Sequence, residues 1–183
     1  MERFLLDKNN CVLVIVDIQE RLATVMKQKD SVVNNRLHLI ELSKMSGIPV
    51  VVTEQYPKGL GRTVEEISKA LPTYHPIEKI TFSCCEEPTF LHEIKQLNKK
   101  TIILTGMETH VCVLQTCVGL LGKGFHIHLV KDAVCSRAKE NWKTGIEFMH
   151  DAGAVITCTE TVLFQLLKVA GTEEFKAISK RIK

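Results

Sequence analysis

Three residues whose side chains could support nucleophilic chemistry follow or interrupt short apolar runs: Asp17, Lys79 and Cys112. Asp17 ends the run CVLVIVD, Lys79 lies among apolar neighbours in HPIEKI, and Cys112 lies in GMETHVCV, just after TIILT. A thiol becomes a nucleophile when a base takes its proton, and a helix N-terminus or a nearby ammonium lowers its pKa. Taken singly, Asp17 could be a helix N-cap and Lys79 a surface lysine. Together they predict an acid, a cation and a thiol in one crevice.

The elements that must position these residues are short β-branched strands alternating with amphipathic helices. Strands are predicted at 11–17, 49–54, 101–106, 126–132 and 154–158, with a weaker one at 75–80. Helices are predicted at 32–47, 109–124, 140–153 and 159–171, each closing on a glycine. Nearly continuous apolar strands are typical of parallel sheets covered on both faces. The pattern therefore predicts an α/β fold: a three-layer α/β/α sandwich with a six-stranded, mostly parallel, Rossmann-like sheet.

In such a sheet, ligands bind at the carboxyl ends of the strands, where the strand order reverses. The helix at 32–47 illustrates the expected packing, with Val33, Leu37 and Ile40 at helical spacing on the predicted buried face. Asp17, Lys79 and Cys112 all follow or end predicted strands, so we expect them at this edge of the sheet.

Length and composition restrict the class of protein. The 183 residues predict one domain over residues 1–183, and 45% hydrophobic with 25% charged residues is an ordinary globular composition. The net charge of +3 is too small to predict binding to nucleic acid or an anionic membrane. No apolar run reaches the ~18 residues of a membrane span and the first residues do not resemble a targeting signal. We therefore expect a cytoplasmic protein, with an organellar location left open.

The seven cysteines do not form a recognisable disulfide or metal framework, because their number is odd and no CxxC pair occurs. Cys11, Cys117 and Cys158 lie in apolar contexts and are expected to be buried. Cys84 and Cys85 are expected to line the pocket or to pack, because vicinal cysteines rarely bridge without distortion.

Three segments, VIVDIQ, EKITFS and GMETHVCV, resemble in order and spacing the signatures of the isochorismatase-like, or cysteine hydrolase, superfamily. The resemblance extends to VVVTEQYPKGLGRT and VKDAVCSR, and TEQYPKGLG is most similar to the isochorismatase-domain-containing group. It implies that Asp17, Lys79 and Cys112 form a catalytic triad. Cys112 would attack an amide-type carbon to form a thioester, with its thiolate held by Lys79 and the helix N-terminus. Asp17 would accept and return the proton.

The resemblance also implies a cis peptide bond between Met107 and Glu108. It implies an oxyanion site formed by the backbone amides of Glu108 and Cys112. His110 either contacts substrate or stabilises the turn, and the candidates for substrate contact that flank the motifs are Gln19, Gln55, Tyr56, Phe82 and His110.

The superfamily's nicotinamidases carry an Asp-x-His motif and a further histidine after the second strand, where this chain has TEQYPKGLG. We therefore expect no metal and no other cofactor. His126 and His128 alternate on a predicted strand, but no third ligand is evident. Isochorismatases of siderophore pathways lack the cysteine nucleophile, so Cys112 argues against that reaction.

The resulting prediction is a metal-independent cysteine hydrolase that cleaves a small amide- or imide-type substrate. One alternative is a catalytically weak or inactive binding or scaffold protein that keeps the fold. A more distant one is nucleic-acid processing, suggested only by the mildly basic charge and the C-terminal KAISKRIK. Family members are commonly oligomers, so the resemblance implies a homo-oligomer.

Overall fold

A computed structural model describes residues 2–182 of the chain and contains one six-stranded sheet. The strand order is β3-β2-β1-β4-β5-β6, all neighbouring pairs are parallel, and the order reverses between β1 and β4. This confirms the predicted α/β class and its parallel sheet. The strands are β1 Cys11–Val16, β2 Val50–Gln55, β3 Ile77–Lys79, β4 Thr101–Met107, β5 His126–Cys135 and β6 Val155–Thr157.

Helices connect the strands. They are α1 Glu20–Thr24, α2 Lys29–Ser46, α3 Pro57–Leu60, α4 Glu65–Ala70, α5 Pro88–Gln96, α6 Leu114–Gly122, α7 Lys139–Asp151, α8 Thr159–Leu167 and α9 Glu173–Arg181. Single turns of 3-10 helix lie at Glu2–Phe4 and Cys84–Glu86, and a π-helical turn lies at Thr109–Val113. None of the helices between residues 2 and 182 combines the length and apolar character needed to cross a membrane.

Two hydrophobic cores lie on opposite faces of the sheet because successive strand residues point to opposite sides. Leu13 and Ile15 of β1 pack with residues of α1, α2, α4, α8 and α9. Val12 and Val14 of the same strand pack with residues of α5, α6 and α7. This arrangement confirms the predicted three layers.

All four predicted helices differ from the structure at one or both ends, and two of them differ most. The helix expected over 109–124 begins as the π-helical turn Thr109–Val113 and continues as α6 to Gly122. The helix expected over 159–171 ends at Leu167 instead of its glycine, because Lys168 adopts a left-handed φ of 58°.

The end of β4 approaches β1 closely at Gly106. Its φ is 146°, and a Cβ added there would lie 2.5 Å from the Val16 carbonyl oxygen, so only glycine fits. Beyond an irregularity between Leu104 and Gly106, β4 continues to pair with β5. β5 therefore runs to Cys135, three residues further than its predicted end at 132.

All seven cysteines are free thiols, and six of them are buried, including Cys11, Cys84, Cys85 and Cys117. The prediction that Cys158 is buried was wrong, since this residue is partly exposed. The reason is its position as the N-cap of α8, where the chain leaves the edge strand β6.

Candidate active site

Asp17 follows β1 directly and has a left-handed φ of 52°, which an aspartate tolerates better than most residues. Its side chain has no exposed surface. One carboxylate oxygen, Oδ1, accepts a hydrogen bond from the Thr53 hydroxyl at 2.7 Å, and Oδ2 accepts one from Lys79 Nζ at 2.7 Å. Thr53 is beside Asp17 because β1 and β2 pair with Val16 opposite Thr53. Both carboxylate oxygens are thus bonded within the protein.

Lys79 ends β3 and is only 2% exposed. Its ammonium donates to Asp17 Oδ2 at 2.7 Å and Gln55 Oε1 at 2.8 Å, and it lies 3.1 Å and 3.2 Å from the carbonyl oxygens of Thr81 and Phe82. Burial is the largest single cause and would lower the pKa of Lys79, but the charge of Asp17, the neighbouring Cys84 and Cys112 and the hydrogen bond to Asp17 together raise it. The site therefore contains a buried ammonium whose hydrogen-bond donors all have partners.

Cys112 lies in the π-helical turn Thr109–Val113 and is 6% exposed. Burial is the largest cause that raises the pKa of its thiol, followed by the negative charge of Asp17. Lys79 has the opposite and smaller effect. These causes oppose the resting thiolate expected beside Lys79, because burial and the Asp17 carboxylate outweigh the lysine.

A second buried thiol, Cys84, lies in the same group and was not assigned to it from the sequence. Its Sγ is 3.7 Å from Thr53 Oγ1, and its backbone amide donates to Thr116 Oγ1 at 3.0 Å. Burial and the charge of Asp17 raise the pKa of Cys84 to about 12. The nearby motif EKITFS predicted that this segment reaches the pocket, but only packing against α6 fixes which cysteine faces Asp17.

Glu108 is held on two sides. Its carboxylate accepts hydrogen bonds from the backbone amide of Arg137 at 2.9 Å and from Arg137 Nε at 3.1 Å. Its carbonyl oxygen accepts from the amides of Val111 and Val113 at 3.1 and 3.2 Å. The peptide bond between Met107 and Glu108 is cis. The start of the turn that carries Cys112 is therefore firmly positioned.

Gln19 and Gln55 are hydrogen-bonded to each other beside Lys79. Gln19 has no exposed surface; its Nε2 donates to the carbonyl oxygens of Gln55 and Gly61, and its Oε1 accepts from the Gln55 amide. Gln55 uses Oε1 to accept from Lys79 and Nε2 to donate to the Ile80 carbonyl oxygen. The amides of both glutamines are thus occupied by the protein itself.

Tyr56 and Phe82 lie at the surface near Lys79, at 53% and 54% exposure, together with Ile80 at 80%. Tyr56, Lys79 and Ile80 contribute to one cavity of about 350 Å³. Asp17 and Cys112 do not line this cavity. The structure therefore places Tyr56 and Phe82 outside the buried triad, next to its lysine.

His110 connects the Cys112 turn to its neighbours. Its Nδ1 lies 2.9 Å from Ser136 Oγ and its Nε2 lies 3.3 Å from Asn141 Nδ2. The turn also packs closely on α7, since a Cβ on Gly145 would lie 3.1 Å from the His110 Cα. These contacts match the second role considered for His110, stabilisation of the turn.

No group of three or more His, Cys, Asp or Glu side chains is arranged to hold a metal ion within residues 2–182. His128 is buried, with Nε2 2.9 Å from the Arg3 carbonyl oxygen. Asp132, on β5, accepts from the amide and hydroxyl of Thr159 at the start of α8. Asp132 thus stabilises the start of α8, and the absence of a catalytic metal stays a prediction.

A parallel α/β sheet with an acid, a lysine and a thiol buried at its carboxyl edge is the architecture of a hydrolase fold. Comparison with known proteins gives the family. Residues 11–161 match the isochorismatase domain, and the chain belongs to the isochorismatase family.

Known relatives share nearly the whole chain. The secreted isochorismatase effector Isc1 of Phytophthora sojae is 40% identical over 96% of this chain and 85% of its own length. Among solved structures, the MAR1 ribonuclease of Caenorhabditis elegans is 36% identical, with a TM-score of 0.89 over 97% of this chain and 92% of that one. YcaC from Pseudomonas aeruginosa, solved with hexane-2,5-diol and covalent acrylamide, is 26% identical, with a TM-score of 0.91 over 97% and 91%.

Proposed function

We propose that this protein is a metal-independent cysteine hydrolase that cleaves the C–N bond of a small amide- or imide-type substrate through a thioester on Cys112. The observation that carries the proposal is the shared position of three groups. Asp17 accepts a hydrogen bond from Lys79 at 2.7 Å, and both are buried with the Cys112 thiol, on which their two charges act in opposite directions. An acceptor for the thiol proton is therefore already in place.

The reaction follows from these positions. As the Cys112 sulfur bonds to the substrate carbon, Asp17 takes the thiol proton, and Lys79 remains charged beside both groups. Collapse of the tetrahedral adduct breaks the C–N bond, and the leaving nitrogen takes the proton from Asp17. Water then attacks the thioester with Asp17 as base, which releases an acid and restores the thiol.

The backbone amides of Glu108 and Cys112 are proposed to stabilise the oxyanion. This role is supported by the fixed position of Glu108, whose carboxylate accepts hydrogen bonds from Arg137. Loss of a single oxyanion donor typically costs about 10²–10³ in kcat. Arg137 is thereby a positioning residue in this scheme.

The substrate is expected to be small, because Asp17, Lys79 and Cys112 are 0%, 2% and 6% exposed. Tyr56 and Phe82 are proposed to contact substrate from the surface side. Of the remaining candidates, Gln55 and His110, whose polar groups are bonded within the protein, are proposed to act by positioning Lys79 and the Cys112 turn, and Gln19 by positioning Gln55.

The test uses acrylamide, a small electrophilic amide, followed by intact-mass analysis and peptide mapping. Acrylamide is expected to add to Cys112 in the wild type and not in Cys112→Ser. Cys84→Ser, which removes the neighbouring buried thiol, is the matched control and should keep the adduct. Labelling confined to the partly exposed Cys158 would contradict the assignment of the nucleophile.

Turnover is tested separately by screening primary amides and imides for ammonia release. Cys112→Ala is expected to reduce release to background, and chelation of metals is expected to leave it unchanged. Wild-type protein that forms no adduct and turns over no amide would favour the alternative, a binding protein that keeps the fold.

RNA cleavage is a second candidate, favoured by the name of the C. elegans relative. Against it stand the buried triad and the net charge of only +3. A phosphodiester chain needs an open, basic groove. Labelled RNA should therefore survive incubation with the wild type. Cleavage that disappears in Cys112→Ala and weakens linearly with log salt would reverse this ranking.

Assembly and location complete the proposal. We expect a homo-oligomer, supported by the exposed apolar side chains Tyr56, Ile80 and Phe82 beside the site. Light scattering that finds a monomer at micromolar concentration would contradict it. Seven free thiols suit a reducing compartment, so we propose a cytoplasmic location, testable by fractionation.

A further inference from the structure

A second cavity lies at the carboxyl edge of the sheet, away from the catalytic group. Its volume is about 410 Å³, within the range of about 300–1,000 Å³ typical of small-molecule sites. Three segments form it: the end of the α1–α2 loop, the end of β5 with its loop, and the first turn of α7. The lining contains no acidic residue and consists of Lys27, Gln28, Cys135, Ser136, Arg137, Lys139 and Trp142.

Three cationic side chains face this cavity. Within residues 2–182, Lys27 and Lys139 make neither an ion pair nor a side-chain hydrogen bond. Arg137 donates to Glu108 through Nε alone, so the outer edge of its guanidinium remains available. Like charges gathered around one cavity repel each other unless an anion lies between them.

The start of α7 adds to the positive potential. Its N-cap is Ala138, which provides no side-chain hydrogen bond, so the first amides of this 13-residue helix lack acceptors. Cations at a helix N-terminus are unfavourable, and anions there are favourable. Glu140 in the first turn has the stabilising charge but does not line the cavity, whereas Arg137 and Lys139, which do line it, have the opposite charge.

We propose that this cavity is a binding site for a small anion of the phosphate class, either free phosphate or the phosphate group of a small molecule. A phosphate carries close to two negative charges and three acceptor oxygens. Lys27, Arg137 and Lys139 supply the charges, and the Ser136 hydroxyl and the α7 amides supply further donors. The Trp142 ring and the Gln28 amide on the same wall would contact an attached organic group.

The site is distinct from the catalytic group, because Asp17, Lys79 and Cys112 do not line it, although Arg137, the positioning residue of the proposed oxyanion site, does. It nevertheless adjoins the Cys112 turn. Ser136 lies 2.9 Å from His110, and Arg137 holds Glu108. A bound anion would therefore contact the same loop that supports the turn.

Isothermal titration with inorganic phosphate, at low and constant ionic strength, tests the proposal without any measurement of turnover. The wild type is expected to bind saturably. The double variant Lys27→Gln/Lys139→Gln should bind at least roughly tenfold more weakly, since it loses two charge-assisted contacts. Each single variant should show an intermediate loss, and a thermal melt of each protein establishes that it is folded.

The matched control is Lys143→Gln, which removes the same charge from the same helix outside the cavity. Its phosphate affinity is expected to stay within about twofold of the wild type. Titration of a phosphate monoester in parallel separates the two sources, because a site for a phosphorylated molecule should bind the monoester more tightly than free phosphate. The proposal would be overturned if neither ligand binds saturably at millimolar concentration. It would also be overturned if Lys143→Gln and the double variant lose the same phosphate affinity.

Discussion

Two buried cations, on opposite sides of the sheet, have very different surroundings. Lys79 at the end of β3 has four oxygen atoms within hydrogen-bonding distance, including the carboxylate of Asp17. Arg36 on α2 is fully buried yet donates only from Nη2 to the Gly106 carbonyl oxygen at 3.0 Å. Its Nε and Nη1 have no partner among residues 2–182.

The pKa values of these two cations move in opposite directions. Burial would lower that of Lys79, but Asp17 together with Cys84 and Cys112 raises it overall. Burial lowers that of Arg36 to about 9, and the opposing effect of Cys135 is smaller. Burial alone therefore does not identify a charged side chain as functional. A buried charge whose hydrogen-bonding groups all have partners does. Such a set of partners is costly to disrupt, whereas an incompletely bonded charge already costs stability.

The largest effect is expected from Lys79→Met. The substitution leaves Asp17 as an uncompensated buried carboxylate, and breaking a buried pair in this way typically costs about 3–5 kcal/mol. Urea denaturation at neutral pH measures the loss in the free energy of unfolding.

The control for Lys79→Met is the double variant Asp17→Asn/Lys79→Met, which removes both charges. It should recover most of the lost stability while remaining inactive. A single-variant cost below about 1 kcal/mol would show that Asp17 and Lys79 are not coupled as the 2.7 Å contact indicates.

Gly106→Ala is expected to have the next largest effect, because Gly106, whose carbonyl oxygen accepts from Arg36, packs closely against Val16, the residue before Asp17. An added Cβ would lie 2.5 Å from both the Cβ and the carbonyl oxygen of Val16, at a φ of 146°. Strain and overpacking together should cost about 2–4 kcal/mol, read from thermal or urea unfolding. Gly122→Ala on α6 is the matched control, since its Cβ would meet nothing within 4 Å. Equal effects of both substitutions would contradict the close approach.

Arg36→Met should change stability by less than about 1 kcal/mol or increase it, because an apolar side chain of similar length replaces an incompletely bonded guanidinium. The same unfolding experiment measures it beside Lys79→Met. A loss above about 3 kcal/mol would show that Arg36 has partners beyond the Gly106 carbonyl, and the contrast between the two cations would disappear.

The sequence predicted the framework well, because apolar runs and closing glycines depend on local spacing. Gly47, for example, ends α2 in the left-handed conformation that its position predicts. Arg36 could not be predicted as buried in the same way. Helical spacing put Leu37 on the buried face, but Leu37 is only half-buried while Arg36 is fully covered. Which polar side chain a helix buries is decided by the layer packed against it.

The candidate site shows the same difference between what local spacing predicts and what packing decides. The positions of Asp17 and Lys79 at strand ends were enough to predict that they lie together, and they do. The protonation of Cys112 was not predictable, because it depends on how burial and the distances to Asp17 and Lys79 balance. Thr53 was missed for a related reason: only the β1–β2 register places its hydroxyl on Asp17.

The last expected effect appears only at alkaline pH and concerns a buried group with no charged partner. Burial raises the pKa of Cys117 on α6 from its usual 9.0 to about 12. Below pH 9 the thiol keeps its proton in both states and stability does not depend on it. Above pH 9 only the unfolded chain releases the proton, so its contribution to stability falls as the pH rises toward 12. One such group changes the free energy of unfolding by at most about 1.4 kcal/mol per pH unit.

Cys117→Ala removes this titration, at the expense of a small cavity whose cost does not depend on pH. The stability difference between wild type and Cys117→Ala should therefore be constant from pH 7 to 8.5 and shrink as the pH rises from 9 to 10.5. Comparing the two proteins directly cancels all other titrating groups, Arg36 included. Leu120→Val, a buried change on the same helix that removes no titratable group, should keep a constant difference throughout. Urea denaturation curves at each pH decide the outcome. If the stability of Cys117→Ala stays parallel to that of the wild type above pH 9, the buried thiol ionises as easily as in the unfolded chain. Burial of a titratable group without partners would then cost less in this core than the comparison with Lys79 implies.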